Sequence, residues 1–130
     1  MEEKTVCIDT SILIDYYRKK DKTKSLFYML TSAYEDFSVS IITAYEILIG
    51  SNDNASRFWM SIFDEIKILS YDKKVNHHAV NIYKDLKRTS KLIDIPDIII
   101  AATALAHDLS IATLNKKHFS RIQHLHILDI

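Results

Sequence analysis

From Ile98 to Ala106 every side chain is apolar except Thr103, and no other stretch restricts the fold of this chain as strongly. A helix without a polar stripe has to be buried on nearly all sides, so the rest of the chain must supply layers around it. Its four alanines permit close packing. Pro96 suits the first helical position, where the missing N–H costs nothing, and this puts Asp97 in the first turn of a helix that otherwise carries no charge. That carboxylate has two readings. It either complements the helix dipole, worth under ~1 kcal/mol when exposed, or it is a metal-binding or catalytic acid held at a rigid helix mouth.

The remaining segments supply the layers. Thr5 to Asp9 is a β-branched run apolar on both faces, as in a strand of a covered parallel sheet, and Asp9-Thr-Ser opens a helix with Ile12, Leu13, Tyr16 and Tyr17 on its apolar face. A second helix is expected over Ser25 to Glu35. Phe37 to Ile42 reads as a strand, and Thr43-Ala-Tyr-Glu46 starts a helix ending near Gly50. Asn54 to Glu65 reads as an amphipathic helix, Ile66 to Tyr71 as the third strand, and Asp72 or Lys73 begins a helix with Val75, Ala79, Ile82 and Leu86 at helical spacing. After the Asp97 helix come a strand over Leu109 to Thr113, a short helix from Asn115 to Arg121, and a final strand over His126 to Ile130. Strands alternating with helices imply an α/β fold, a three-layer α/β/α domain over residues 1–130 with a central parallel sheet of about five strands.

At 130 residues, one domain is expected. Seventeen basic and seventeen acidic residues give no net charge, so binding to a polyanion needs a local basic patch. The lone Cys7 sits in an apolar run, where a buried, inert thiol is the simplest reading. The charged start Met1-Glu-Glu-Lys-Thr5 lacks a basic region followed by a long apolar run, and no segment reaches the ~20 apolar residues of a membrane span. A cytoplasmic protein without membrane contact is expected.

Asp9, Glu46, Asp97 and Asn115 stand at helix starts. Each has a local explanation: Thr43-x-x-Glu46 fits a capping box, Asp9 and Asn115 fit N-caps, and Asp97 fits a dipole partner. Together they point further. In a parallel α/β sheet the carboxyl ends of all strands share one edge, where ligand crevices form, and Asp9, Glu46 and Asn115 follow strands there. Asp97 follows a helix-to-helix connection, but its helix runs back before the fourth strand and can begin at the same edge. Three carboxylates brought together need bound cations to offset their repulsion. Mg2+, or Mn2+ in its place, binds a few carboxylates and leaves room for phosphate oxygens, which suggests phosphodiester hydrolysis.

Ile8-Asp9-Thr10-Ser11, Ile42-Thr43-x-x-Glu46-Ile47-x-x-Gly50, Asp97-Ile-Ile-Ile-Ala-Ala-Thr-Ala-Leu105 and Thr113-x-Asn115-x-x-His118-Phe119, in that order and spacing, resemble a PIN domain. More narrowly, the chain resembles the VapC-type toxins of toxin–antitoxin pairs. The resemblance spans nearly the whole chain. It implies a Mg2+- or Mn2+-dependent endoribonuclease with Asp9, Glu46 and Asp97 as catalytic metal ligands. It also implies a homodimer, neutralised by a small DNA-binding antitoxin whose tail occupies the acidic site. The family's fourth acidic position falls on Asn115, whose amide oxygen can still ligate but lowers the charge available to a second cation.

Asp94, three residues before Asp97, reads first as a solvated turn residue and is otherwise a candidate to compensate. Ser11 and Thr113 are candidate supports for a ligand carboxylate, or ordinary cap and turn hydroxyls. Lys116, Lys117 and His118 are candidate RNA contacts, being nearest in sequence to a site residue. Two rivals stand against the nuclease. One is an aspartyl-phosphate enzyme, which needs a second carboxylate near Asp9, whereas Ser11 stands two residues on. The other is a catalytically silent PIN-like scaffold that binds RNA or protein.

Overall fold

The computed structural model describes residues 5–130, so the expectation about the charged start, Met1 to Lys4, lies outside the described residues. Four parallel strands form the sheet: β1 (Thr5–Ile8), β2 (Asp36–Ser40), β3 (Lys67–Leu69) and β4 (Ile111–Ala112), in the order β3-β2-β1-β4. Registers pair Cys7 with both Ser38 and Ile111, and Ser40 with Leu69. Between the strands run α1 (Thr10–Arg18), α2 (Leu26–Leu30), α3 (Ile41–Ile49), α4 (Asp53–Glu65), α5 (Lys73–Arg88) and α6 (Ile95–Ala106), and α7 (Lys116–Phe119) follows β4.

Side-chain alternation along the strands divides the core in two. Val6, Ile8, Val39 and Ala112 face one way, onto Ile12 and Leu13 of α1, Ile47 of α3, and Trp59 and Phe63 of α4. Ile111 faces the other way, onto Ile98, Ile100, Ala101 and Ala102 of α6, Val75, Ile82 and Leu86 of α5, and Phe119 of α7. The residues of β1 and β2 on that second face, Cys7 and Ser38, are small, as are Ala101, Ala102 and Ala104 of α6, which packs against β2. Small against small lets the unstriped helix lie close on the sheet. No described helix is long and apolar enough to cross a membrane.

The third and fourth strands and the helix after Asn115 are shorter than expected, and three further elements come out differently. The helix expected over Ser25 to Glu35 ends at Leu30, where the carbonyls of Tyr28 and Met29 accept from the N–H groups of Thr31 and Ser32, only three residues on, and from their hydroxyls at 2.5 and 2.8 Å, a tightened last turn. The strand expected to run to Ile42 stops at Ser40, whose Oγ accepts from the Ile42 N–H at 3.2 Å and starts α3 two residues before Thr43. Thr43 and Glu46 therefore lie inside the helix, and they form no capping box. The last expected strand, His126 to Ile130, amounts to one bridge between Ile111 and Ile127, since β4 has only two residues to pair with. The sheet thus has four strands rather than about five.

Candidate active site

The strand order places a switch point at β1. The connections from β1 to β2 and from β2 to β3 lead away on one side, while the chain from β3 returns past β1 to pair β4 on the other. Crevices in such sheets open at the carboxyl ends of the strands flanking that point. Here those ends are Asp9 after β1 and Thr113 after β4, joined by a bond from the Asp9 N–H to the Ala112 carbonyl at 3.0 Å.

Asp9 occupies the N-cap position of α1, yet its side chain makes no cap bond. Instead Ser11 Oγ and Thr113 Oγ1 both donate to Asp9 Oδ2, each at 2.7 Å. The two hydroxyls are themselves set by backbone donors: Ser11 Oγ accepts from the Leu114 N–H at 3.0 Å and Thr113 Oγ1 from the Asn115 N–H at 2.9 Å. The segment after β4 is thereby locked to a carboxylate more than 100 residues earlier. Asp9 is only 1% exposed, and charge-assisted bonds of this length offset the cost of burying its charge. Oδ1 carries no hydrogen bond among the described residues.

Glu46 lies inside α3, where Thr10 Oγ1 donates to its Oε1 at 3.0 Å and stands 3.1 Å from Thr43 Oγ1. Sequence reasoning missed Thr10 and Thr43 as supports. The available signals were a hydroxyl directly after Asp9 and another three residues before Glu46, on the same helix face.

Asp97 sits in the first turn of α6, its side chain 18% exposed. Its carboxyl is raised above the ordinary range, first by burial, then by the charge of Asp9 and more weakly by that of Glu46; His118 acts in the opposite direction. Asp97 therefore lies within reach of the charges of Asp9 and Glu46. His118 Nδ1 is buried 3.6 Å from Asp97 Oδ2, beyond hydrogen-bond range, and has no hydrogen-bond partner among the described residues. The structure thus turns one face of His118 toward Asp97, while 46% of the side chain remains exposed.

Asn115 is exposed at the N-cap of α7, with no cap bond from its side chain, and exposed Asp94 likewise fails to cap α6. Lys116 Nζ donates to the Ile130 carbonyl at 3.1 Å and lies 3.6 Å from Asp129, so it is engaged within the chain; Lys117 is exposed. Burial pushes the Cys7 thiol up to about 12, with help from Asp9, which removes it from chemistry at neutral pH.

Among the described residues no three Asp, Glu, His or Cys side chains form a ready-made cation cage. The donor set nevertheless suits a hard divalent ion: three carboxylates and one amide oxygen, with the unbonded Oδ1 of the buried Asp9 among them. The carboxyl of Asp97 is raised first by burial and then by the charge of Asp9, a condition that a bound cation would ease.

A family model described as PIN domain matches residues 6–125. Ribonuclease VapC1 of Methanocaldococcus jannaschii is 34% identical over 123 residues, covering 94% of this chain and 84% of that protein. Among solved structures, VapBC2 of Rickettsia felis, bound to a DNA fragment from its promoter, superimposes with a TM-score of 0.81 at 21% identity, over 97% of this chain and 98% of that one. A toxin–antitoxin complex from Klebsiella pneumoniae gives 0.76 at 24% identity, over 96% and 99%. At those identities the two structures speak for the fold.

Proposed function

This chain belongs to the PIN-domain family, in its VapC branch, and on that premise we propose that it is a Mg2+- or Mn2+-dependent endoribonuclease, the toxin of a toxin–antitoxin pair. The observation that carries this reading is Asp9, buried at the sheet's switch point and clamped by two hydroxyls, on the edge where Glu46 and Asp97 also start from the neighbouring helices. Asp9, Glu46 and Asp97 would hold the cation, with Asn115 contributing its amide oxygen. When bound, the ion supplies an acidified water and charge stabilisation for displacement at a phosphodiester.

The chain's own residues perform the positioning. Ser11 and Thr113 fix the plane of the Asp9 carboxylate, Thr10 fixes Glu46, and the rigid body of α6 holds Asp97 at its mouth. Lys117 and the exposed part of His118 remain candidate RNA contacts. The two-component names of the structural relatives support a small DNA-binding antitoxin as partner. The exposed stripe Ile41, Tyr45 and Ile49 on α3 is a surface consistent with a homodimer, and a cytoplasmic location completes the reading.

The test is cleavage of RNA by purified, antitoxin-free protein. Activity should need Mg2+ or Mn2+, vanish with EDTA, and be absent in Asp97→Asn. Expression of the chain alone should arrest bacterial growth, and Asp9→Ala should not. Folded wild type that leaves a broad RNA panel intact with either ion would leave the silent scaffold as the better reading.

A further inference from the structure

Arg18 is a cation that the rest of the described structure does not use. It ends α1, is exposed, and makes no ion pair or hydrogen bond among the described residues. The two basic neighbours nearest the end of α1 by contact, Lys19 and Lys22, are committed. Lys19 pairs with Asp15 at 3.5 Å, and Lys22 Nζ donates to the carbonyls of Tyr17 and Lys19 at 2.8 and 2.9 Å while lying over the rings of Tyr16, Tyr17 and Phe58. That ammonium holds the end of α1 in place, so Arg18 projects from a fixed support.

Arg18 also has a distinctive position. Two grooves run along α1, one of about 550 Å³ lined by Thr10 and Glu46, the other of about 510 Å³ lined by Ser11 and Asn115. Arg18 and Ile14 line both. Each groove therefore has site residues at one end and the same guanidinium further along. Arg18 lies seven residues beyond Ser11, ~10 Å along the helix axis. That is too far to touch a phosphate reacting among the acids, and suits another phosphate of the same strand. With no net charge to draw in a polyanion, a strand approaching three carboxylates needs a local cation, and a guanidinium grips phosphate through paired N–H donors.

We propose that Arg18 binds a non-reacting phosphate of the RNA strand and sets its path into the site from either groove. The proposal rests on the ribonuclease reading and adds to it a residue that positions substrate without taking part in the chemistry. A contact kept equally in ground and transition states changes KM and leaves kcat alone.

The experiment is steady-state cleavage of fluorescent single-stranded RNA in Mg2+ by wild type, Arg18→Gln, Arg18→Lys and, as a remote control of equal charge change, Lys74→Gln. In Arg18→Gln, KM should rise about tenfold with kcat within about twofold, and the salt dependence of log KM should flatten by about 0.7. Arg18→Lys should recover part of the loss. The effect should vanish on a dinucleotide too short to reach Arg18. Thermal unfolding of Arg18→Gln should match wild type, because no internal partner is lost. If wild type cleaves RNA and Arg18→Gln keeps its KM and salt slope, or loses kcat instead, the proposal is overturned alone. Wild type that cleaves no RNA overturns it together with the ribonuclease reading.

Discussion

Asp9 and Asp72 begin as the same device. Both are aspartates that follow strands of one parallel sheet, and both stand at the N-cap of the next helix in extended backbone. Asp72 does what that position favours: it is exposed and accepts the Val75 N–H at 2.9 Å. Asp9 forgoes the cap, is buried, and takes two hydroxyl donors instead. Asp94 and Asn115, which start the other helices at the switch point, also leave their N-termini uncapped, whereas Ser25 and Asn52 elsewhere cap theirs. A cap is worth about 1 kcal/mol, so α1, α6 and α7 give up local stability that α3, whose Ser40 caps it at the same edge, retains. The difference comes from what the fold brings alongside: Thr113 reaches Asp9, while Asp72 lies beyond β3 at the opposite side of the sheet.

Substitutions should separate the two aspartates cleanly. The largest effect is expected from Asp9→Asn, which should lower RNA cleavage about a thousandfold or more in a Mg2+ assay while leaving a folded protein; this is the scale of losing a charge aligned with the reaction. If Asp72→Asn were equally damaging to cleavage, the contrast would collapse. Next comes Thr113→Val, which removes one of the two hydroxyls and should cost 10- to 100-fold in activity or cation affinity, the range found for groups that orient ligands. Asp72→Ala should then do the opposite of Asp9→Asn, losing about 1 kcal/mol in urea unfolding with unchanged cleavage.

The smallest effect concerns pH. Asp97 has its carboxyl raised in the folded protein above 3.8, so ionising it costs folding free energy: the folded state is favoured below that value and loses ground as pH rises through the folded pKa. In EDTA, Asp97→Asn should therefore melt at a higher temperature than wild type at pH 7, and the gain should disappear by pH 3. An advantage that instead grew toward acid pH would contradict the raising of this carboxyl by burial and by the charge of Asp9.

The contrast also explains what was legible in the sequence. The buried helix and its single charge are written locally, because the absence of a polar stripe over Ile98 to Ala106 leaves one interpretation. Alternation of strands and helices likewise identified the parallel sheet. Local pattern failed where two local rules competed. A tightened last turn at Thr31 and Ser32 ends α2 early, Ser40 rather than Thr43 starts α3, and a two-residue β4 cannot support a further full strand. The order of the motifs singles out Asp9, with Ser11 and Thr113 as candidate supports, but not the contact that separates it from Asp72. That contact comes from a hydroxyl 104 positions away, and nothing near either aspartate encodes it. The pairing of Thr10 with Glu46, 36 residues apart, and of His118 with Asp97 belong to the same class.

Cys7 lies two residues before Asp9, wholly enclosed between the sheet and its second layer of helices. It is the chain's single thiol, and a reagent that needs thiolate cannot reach it while β1 stays paired with β2 and β4. Labelling at that sulfur would therefore count openings of the central strand, free of signal from any other position. A cation that drew the acids together should slow the labelling. The protein thus contains its own clock for how firmly the floor of its site is closed.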